Sequence, residues 1–239
     1  MMLIDLIKAN RSYRGYNHSR TVTKDELLKM VEAARLCPSS VNIQPLIFDL
    51  FGVIARFDTE GYYTVHGISP SDQQILQREV FRSLEFAMGD RGTISEEEAV
   101  DAICARVPEH LHEAVCDFIY RQNRTILPIP GMEALLQCLK DHGHYLFLLS
   151  NTSKAFHCFR TRIPGIELFN GTLISADVGL VKPDPAIFRL ACEQFGILPS
   201  ESSFIDDTPI NAEAAQYVGM KAYVFNGDVA QLGKWLIEK

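Results

Sequence analysis

The sequence predicts an α/β fold: a doubly wound parallel sheet, interrupted after its first strand by a helical insert and preceded by a short helical segment. Three observations point there. From Pro128 onward, short apolar runs alternate regularly with amphipathic stretches. Between about Ser69 and Arg124 the periodicity is helical and no convincing strand occurs. Near Gln44 and Pro45 the texture changes abruptly to LIFDLFGVI, an apolar run rich in β-branched and aromatic residues.

Taken in order, Leu3 to Ala9 and Thr23 to Leu36 read as two helices, the second opened by Thr23 with Glu26 at capping-box spacing. Cys37-Pro38-Ser39-Ser40 ends that pattern. LIFDLFGVI then reads as a buried strand. In the insert, Ser95 and three glutamates precede Ala99, Ile103 and Val107 at helical spacing, and Leu111, Val115, Phe118 and Ile119 repeat it. After Ile129-Pro130-Gly131 come helix Met132 to His142, strand Tyr145 to Leu149, a helix near Ser153 to Arg160, and strand Gly171 to Ser175. Helix Pro185 to Phe195, strand Ser203 to Ile205, helix Pro209 to Val218, strand Lys221 to Phe225 and helix Val229 to Glu238 complete the pattern. The division this implies is a helical segment at 1–45, a core at 46–60 and 125–239, and a helical cap at 61–124.

A chain of 239 residues, 47% hydrophobic and 22% charged, has enough apolar surface for a core plus a smaller insert. Its net charge of −7 and pI near 5.5 argue against a nucleic-acid partner, whose phosphates an acidic surface repels. The six cysteines form no C-x-x-C pair and sit in apolar contexts, so reduced, mostly buried thiols are expected. MMLIDLIKANRS carries an Asp within its short apolar stretch, and no segment approaches 18 uninterrupted apolar residues. A cytoplasmic protein with no membrane association is the expectation.

Four short motifs fall at predicted strand ends, and in a parallel sheet all such ends share one edge. Asp49 follows LIF, Ser150-Asn151-Thr152 follows FLL, Lys182 stands in VGLVKPDP, and Asp206-Asp207 follows SFI. Singly, each has an ordinary role: a turn carboxylate, a helix cap, a surface lysine. Two adjacent aspartates at the end of an apolar strand repel unless a cation sits between them. As an ordered set, the motifs resemble the haloacid dehalogenase-like hydrolases over about residues 46–239, with the insert in the place of that family's cap.

The resemblance implies a Rossmann-like core and a two-step displacement in which Asp49 is the nucleophile. Lys182 would offset negative charge on the transferring group, and Ser150 and Asn151 would bind substrate. Asp49, the Phe51 carbonyl, Asp206 and Asp207 would hold Mg²⁺, a hard cation that takes oxygen ligands. The substrate implied is a small phosphorylated metabolite, and the intermediate an aspartyl-phosphate.

Phe51 departs from the phosphatase pattern, which has an acid–base Asp at that position. A phenyl ring cannot transfer a proton, and general acid–base assistance is worth about 10²–10⁴ in rate. A 2-haloacid dehalogenase, which also lacks that Asp, and a binding module with a degenerate site therefore remain alternatives. SNT, the RGTIS turn and FIDDTPINAEAA resemble the branch containing α-glucose-1-phosphate phosphatases and the N-terminal domain of soluble epoxide hydrolases, which points toward a sugar phosphate. Asp58 is a candidate substitute acid. His66, His112, Tyr62 and Tyr63 are candidates for the mouth of the cap.

The opening differs in kind. RSYRGY and PSSVNIQP resemble the start of a nitroreductase, with Arg11, Ser12, Arg14, Ser39, Asn42 and Gln44 at its FMN-contacting positions. The remainder of that fold does not follow, so no flavin slot can be completed and FMN binding is not expected.

Overall fold

The computed structural model describes residues 43–121 and 126–237. The chain divides into two units between Ile43 and Gln44, and the described residues from Gln44 onward belong to the second. The two helices expected before Cys37 lie outside the described residues.

Among the described residues the strands are β1 (Pro45–Phe48), β2 (Ala55–Phe57), β3 (Ile126–Pro128), β4 (Tyr145–Ser150), β5 (Gly171–Ile174), β6 (Ser203–Asp206) and β7 (Lys221–Val224). One wholly parallel sheet has the order β5-β4-β1-β6-β7. β2 and β3 form a separate antiparallel pair. The sheet grows outward from β1 through β4 on one side and through β6 on the other, and open α/β sheets bind ligands at such a reversal.

Helices α1 (Thr59–Val65), α2 (Pro70–Leu76), α3 (Leu84–Arg91), α4 (Glu96–Cys104) and α5 (His112–Arg121) make up the insert, with a π-helical turn at Gln77–Phe81. They bury their own core of Tyr62, Leu76, Val80, Ile103, Leu111 and Phe118. Ser95 opens α4 with a complete capping box to Glu98. The antiparallel β2–β3 pair carries the chain out to these helices and back.

The core helices are α6 (Met132–Asp141), α7 (Phe156–Phe159), α8 (Ser175–Val178), α9 (Pro185–Phe195), α10 (Pro209–Tyr217) and α11 (Val229–Ile237). Alternate residues of β1 face opposite layers. Leu46 and Phe48 pack with Met132 and Leu136 of α6 and Leu232 of α11. Ile47 packs with Ile187 and Phe188 of α9 and Ala215 of α10. Helices on both faces explain why β1 is apolar throughout rather than alternating. Each fully buried Leu, Ile or Phe stabilises the fold by about 1.5–3 kcal/mol.

Local sequence misplaces three features. LIFDLFGVI is not one strand: the chain leaves the sheet at Asp49, reverses, and re-enters pairing as β2. The Leu50 carbonyl accepts from Ile54 and Ala55 N–H at 2.9 and 3.0 Å, and Gly52, at φ 86°, supplies the left-handed residue such a reversal needs. A continuous apolar run contains no period that could reveal this. The helix expected near Ser153 to Arg160 is only α7 followed by a 3₁₀ turn at Arg160–Arg162. The strand expected to reach Ser175 stops at Ile174, and Ser175 begins α8. The thiol expectation also needs correction: Cys104, Cys116, Cys138, Cys158 and Cys192 are free, but Cys158 is exposed and only Cys192 of these is fully buried.

Candidate active site

Sheet register assembles the site. Phe48 of β1 stands level with Leu148 of β4 and Ile205 of β6, so Asp49 and Asp206, one residue further along, are neighbours at the C-terminal edge. The Asp49 N–H still donates to the Ile205 carbonyl at 2.8 Å, continuing the ladder for one bond beyond the strand. Lys182 reaches the same edge from the loop after α8. Its Nζ donates to Asp49 Oδ1 at 2.8 Å and to Asp206 Oδ2 at 2.7 Å, and the lysine is almost wholly buried. The chain thereby brings together three of the charged residues singled out in the sequence.

Burial pushes the Asp49 carboxyl up to about 6, with Asp206 adding to the rise and Lys182 opposing it. Burial alone would lower Lys182, but Asp49 and Asp206 outweigh it and hold the ammonium above its ordinary range. Asp207 is raised by partial burial of its carboxyl and then by Asp206. Oxygen atoms of Asp49, Asp206 and Asp207 lie within 4.8 Å of one another. Three carboxylates against one ammonium leave excess negative charge, and an all-oxygen donor set suits a hard divalent cation. Gly52 has no room for a side chain, because a Cβ there would strike the Asp207 carboxylate.

Asp206 is the most engaged of the three. Lys182 Nζ, Thr208 N–H at 2.8 Å and Asn211 Nδ2 at 3.0 and 3.1 Å all donate to its oxygens. Asp207 is exposed and accepts only a long 3.4 Å contact from Thr208 Oγ1 among its side-chain bonds. Asp207 and the outer oxygen of Asp49 thus have the most room for a cation. Asn211 went unnoticed in the sequence; its place one turn into α10, after the acidic pair, was the available signal.

Ser150 Oγ is buried and has no hydrogen-bond partner, an arrangement that costs about 1–3 kcal/mol unless a ligand satisfies it. Such an unpaired donor suits an oxyanion. Asn151, expected to touch substrate, donates from Nδ2 to the Lys182 carbonyl at 2.9 Å and accepts the Lys182 N–H at 2.8 Å. Its amide therefore holds the lysine loop against β4. Thr152 N–H is also occupied, by Ser175 Oγ at 2.9 Å, so it is not a free donor for phosphate.

Phe51 stacks on Phe57 of β2, with ring centroids 4.2 Å apart and planes 15° from parallel, and Phe57 meets Phe118 of α5 at 5.9 Å. An aromatic chain therefore runs from the core to the insert where a proton-transfer group would stand. Asp58 caps α1 by accepting the Gly61 N–H at 3.0 Å. Tyr62 and Tyr63 are buried in the insert, where Tyr62 OH donates to the Ala114 carbonyl. His66 pairs with Asp117 at 3.3 Å and His112 bonds the Val107 carbonyl, so these candidates serve the insert's own packing.

Gln44 lies just before β1. Its N–H meets His144 Nδ1 at 3.2 Å, and its side chain accepts from Ser203 at 3.4 Å. Arg11, Ser12, Arg14, Ser39 and Asn42 lie outside the described residues. A nitroreductase family model nevertheless matches residues 7–57, past the sequence seam and through β1 and β2.

Several comparisons bear on the remainder. A phosphoserine phosphatase of Thermus thermophilus is 33% identical over 48% of this chain and 47% of that protein, so the chain spans about half its length. An (S)-2-haloacid dehalogenase of a Pseudomonas species is 27% identical over 75% of this chain and 82% of that protein. The crystal structure of a haloacid dehalogenase family enzyme from Bacteroides thetaiotaomicron, in complex with magnesium and inorganic phosphate, is 25% identical with TM-score 0.62. The match covers 80% of this chain and 98% of that one. The haloacid dehalogenase-like hydrolase model matches residues 43–219, and together with the assembled strand-end motifs this places the chain in the haloacid dehalogenase-like hydrolase family.

Proposed function

We propose that this hydrolase is a Mg²⁺-dependent phosphomonoesterase acting on a small phosphorylated metabolite through an aspartyl-phosphate on Asp49. The observation that carries the reading is the cluster of Asp49, Asp206 and Asp207, with a single ammonium bonded to the first two, an acidic excess that displacement of halide does not require. Asp49 and Asp207 would hold the metal with the Phe51 carbonyl, and Asp206 would fix Lys182. The metal would neutralise phosphate charge and so admit an anionic nucleophile.

Asp49 then attacks phosphorus as the leaving oxygen departs. Lys182 steadies the nucleophile and the charge on the transferring group, and Ser150 Oγ donates to a phosphoryl oxygen. Water resolves the intermediate. The magnesium and phosphate bound by the Bacteroides enzyme support this reading, as do the phosphatase relatives. Free thiols are compatible with a cytoplasmic setting. Among the described residues no helix is long and apolar enough to cross a membrane.

A panel of phosphomonoesters assayed with and without EDTA tests this, alongside Asp49→Asn. Turnover that needs Mg²⁺ and falls at least ~10³-fold in the variant is expected. Wild-type rates in Asp49→Asn would sink the mechanism. The apolar Phe51 favours a second reading, a 2-haloacid dehalogenase, which activity on 2-chloropropionate indifferent to EDTA would establish instead.

A further inference from the structure

We propose that Asp90, brought to the site by the insert, is the general acid and base that Phe51 leaves missing. This inference rests on the phosphatase reading. Asp90 stands in the last turn of α3, two residues before Gly92 at φ 72°. A side chain on Gly92 would collide with the Ala176 backbone, so the end of α3 is packed directly on α8 of the core. Ser175 Oγ donates to the Asp90 carbonyl and accepts the Thr152 N–H, which ties that helix end to the turn after Ser150. Asp90 is thus fixed against the catalytic edge although the insert carries it.

Its buried carboxyl lies within electrostatic reach of Asp49 and Lys182. It also lines a cavity of 320 Å³ between insert and core, whose core wall includes Lys154 and Ser153. Ser153 Oγ is buried there without a partner. The groups facing Asp90 are therefore Asp49 and Lys182 at the sheet edge, Lys154 after β4, and Glu85, Glu96 and Glu98 of the insert.

Burial, then the charge of Asp49, push Asp90 up to about 7 against the pull of Lys182. A negative charge is also disfavoured in the last turn of a helix. Two other carboxylates of the cavity are engaged elsewhere: Glu85 takes both ends of the Arg106 guanidinium, and Glu98 closes the capping box. Both are held below their ordinary range by those hydrogen bonds, so neither is a ready proton donor. Asp58 is occupied as a helix cap. Among these carboxylates, Asp90 combines a strengthened hold on its proton with a helix end tied to the turn after Ser150.

In the first half-reaction an Asp49 oxygen bonds to phosphorus, the bond from phosphorus to the leaving oxygen breaks, and the Asp90 proton passes to that oxygen. In the second, water bonds to phosphorus as the Asp49–phosphorus bond breaks. The Asp90 carboxylate takes a proton from that water, and inorganic phosphate departs with Asp90 ready for another cycle. Such a donor matters for alkoxide leaving groups and hardly at all for nitrophenolate.

The test compares wild type and Asp90→Asn at saturating Mg²⁺ on glycerol phosphate and on p-nitrophenyl phosphate across pH 5–9. Expected is a loss of about 10²–10⁴ in kcat/KM on the alkyl ester and less than about tenfold on the aryl ester. The wild type should lose alkyl-ester activity toward alkaline pH, because the acid must be protonated, and the variant should lack that limb. Retained aryl-ester turnover shows that the variant is folded. Equal losses on both esters, or an unchanged alkaline limb, would overturn the assignment while leaving the phosphatase reading intact. A wild type inactive on both esters would overturn that reading and this inference with it.

Discussion

Replacing Lys182 by Met keeps the length of a buried side chain and removes only its charge. At 2.8 and 2.7 Å the ammonium attracts Asp49 and Asp206, each by roughly 6 kcal/mol at an effective dielectric of 20. Desolvation of three buried groups offsets much of this, and breaking a buried pair typically costs about 3–5 kcal/mol net. The loss depends on pH. Asp49 is already raised from 3.8 to about 6 with Lys182 present, and without it the value must climb further. A raised carboxyl contributes stability that is full below about 4 and is lost as pH rises through the folded value.

Lys182→Met should therefore be less destabilised at pH 4.5 than at pH 8, where in EDTA it should lose about 3–5 kcal/mol. At about 2–4 °C per kcal/mol for a chain of this size, that is a fall in Tm of roughly 6–20 °C at the higher pH. Added Mg²⁺ should restore part of it, since the cation replaces the missing positive charge. Thermal melts followed by circular dichroism at both pH values, with EDTA and with Mg²⁺, provide the measurement. A Tm difference between variant and wild type that is the same at pH 4.5 and pH 8 would refute the account of Lys182 as the counter-charge of this cluster.

Asp207→Ala should weaken Mg²⁺ binding by at least ~10-fold while raising metal-free stability at pH 8, because it removes a carboxyl whose ionised form burial and Asp206 disfavour. Calorimetric Mg²⁺ titration and melts in EDTA measure the two effects, and unaltered Mg²⁺ affinity would remove Asp207 from the ligand set. Residues 44–239 expressed alone should fold and retain the ester hydrolysis of the full chain, since Gln44 and the residues after it supply the sheet and every charged group of the site. Soluble, inactive 44–239 beside an active full chain would contradict this. The full chain should also purify without yellow, stoichiometric FMN.

Much of the frame was legible in one dimension. Apolar runs alternating with amphipathic helices dictate parallel strands, and parallel strands place all their C-terminal ends on one edge. That reasoning located Asp49, Asp206 and Asp207 on a common face, whereas Lys182 joins them from the loop after α8 rather than from a strand end. Phe51 was equally legible as a position without a proton to give. Other features depend on contacts between distant residues, which local periodicity does not record. Asn151 and Lys182 are 31 residues apart, and their reciprocal bonds exist only because β4 and the lysine loop end at the same edge.

Ser175 and Asp90 are 85 residues apart, and a helix-end aspartate has no signature until the insert is packed on the core. The reversal inside LIFDLFGVI was hidden because an apolar run is compatible with one strand or with two segments joined by a turn. Sequence thus determined which groups could react and on which edge they gather, because charge, apolar pattern and strand direction are properties of the chain itself. Only the tertiary structure decided which carboxylates are buried, which are engaged by donors and which are pushed toward holding a proton, because burial and neighbouring charge exist only after folding.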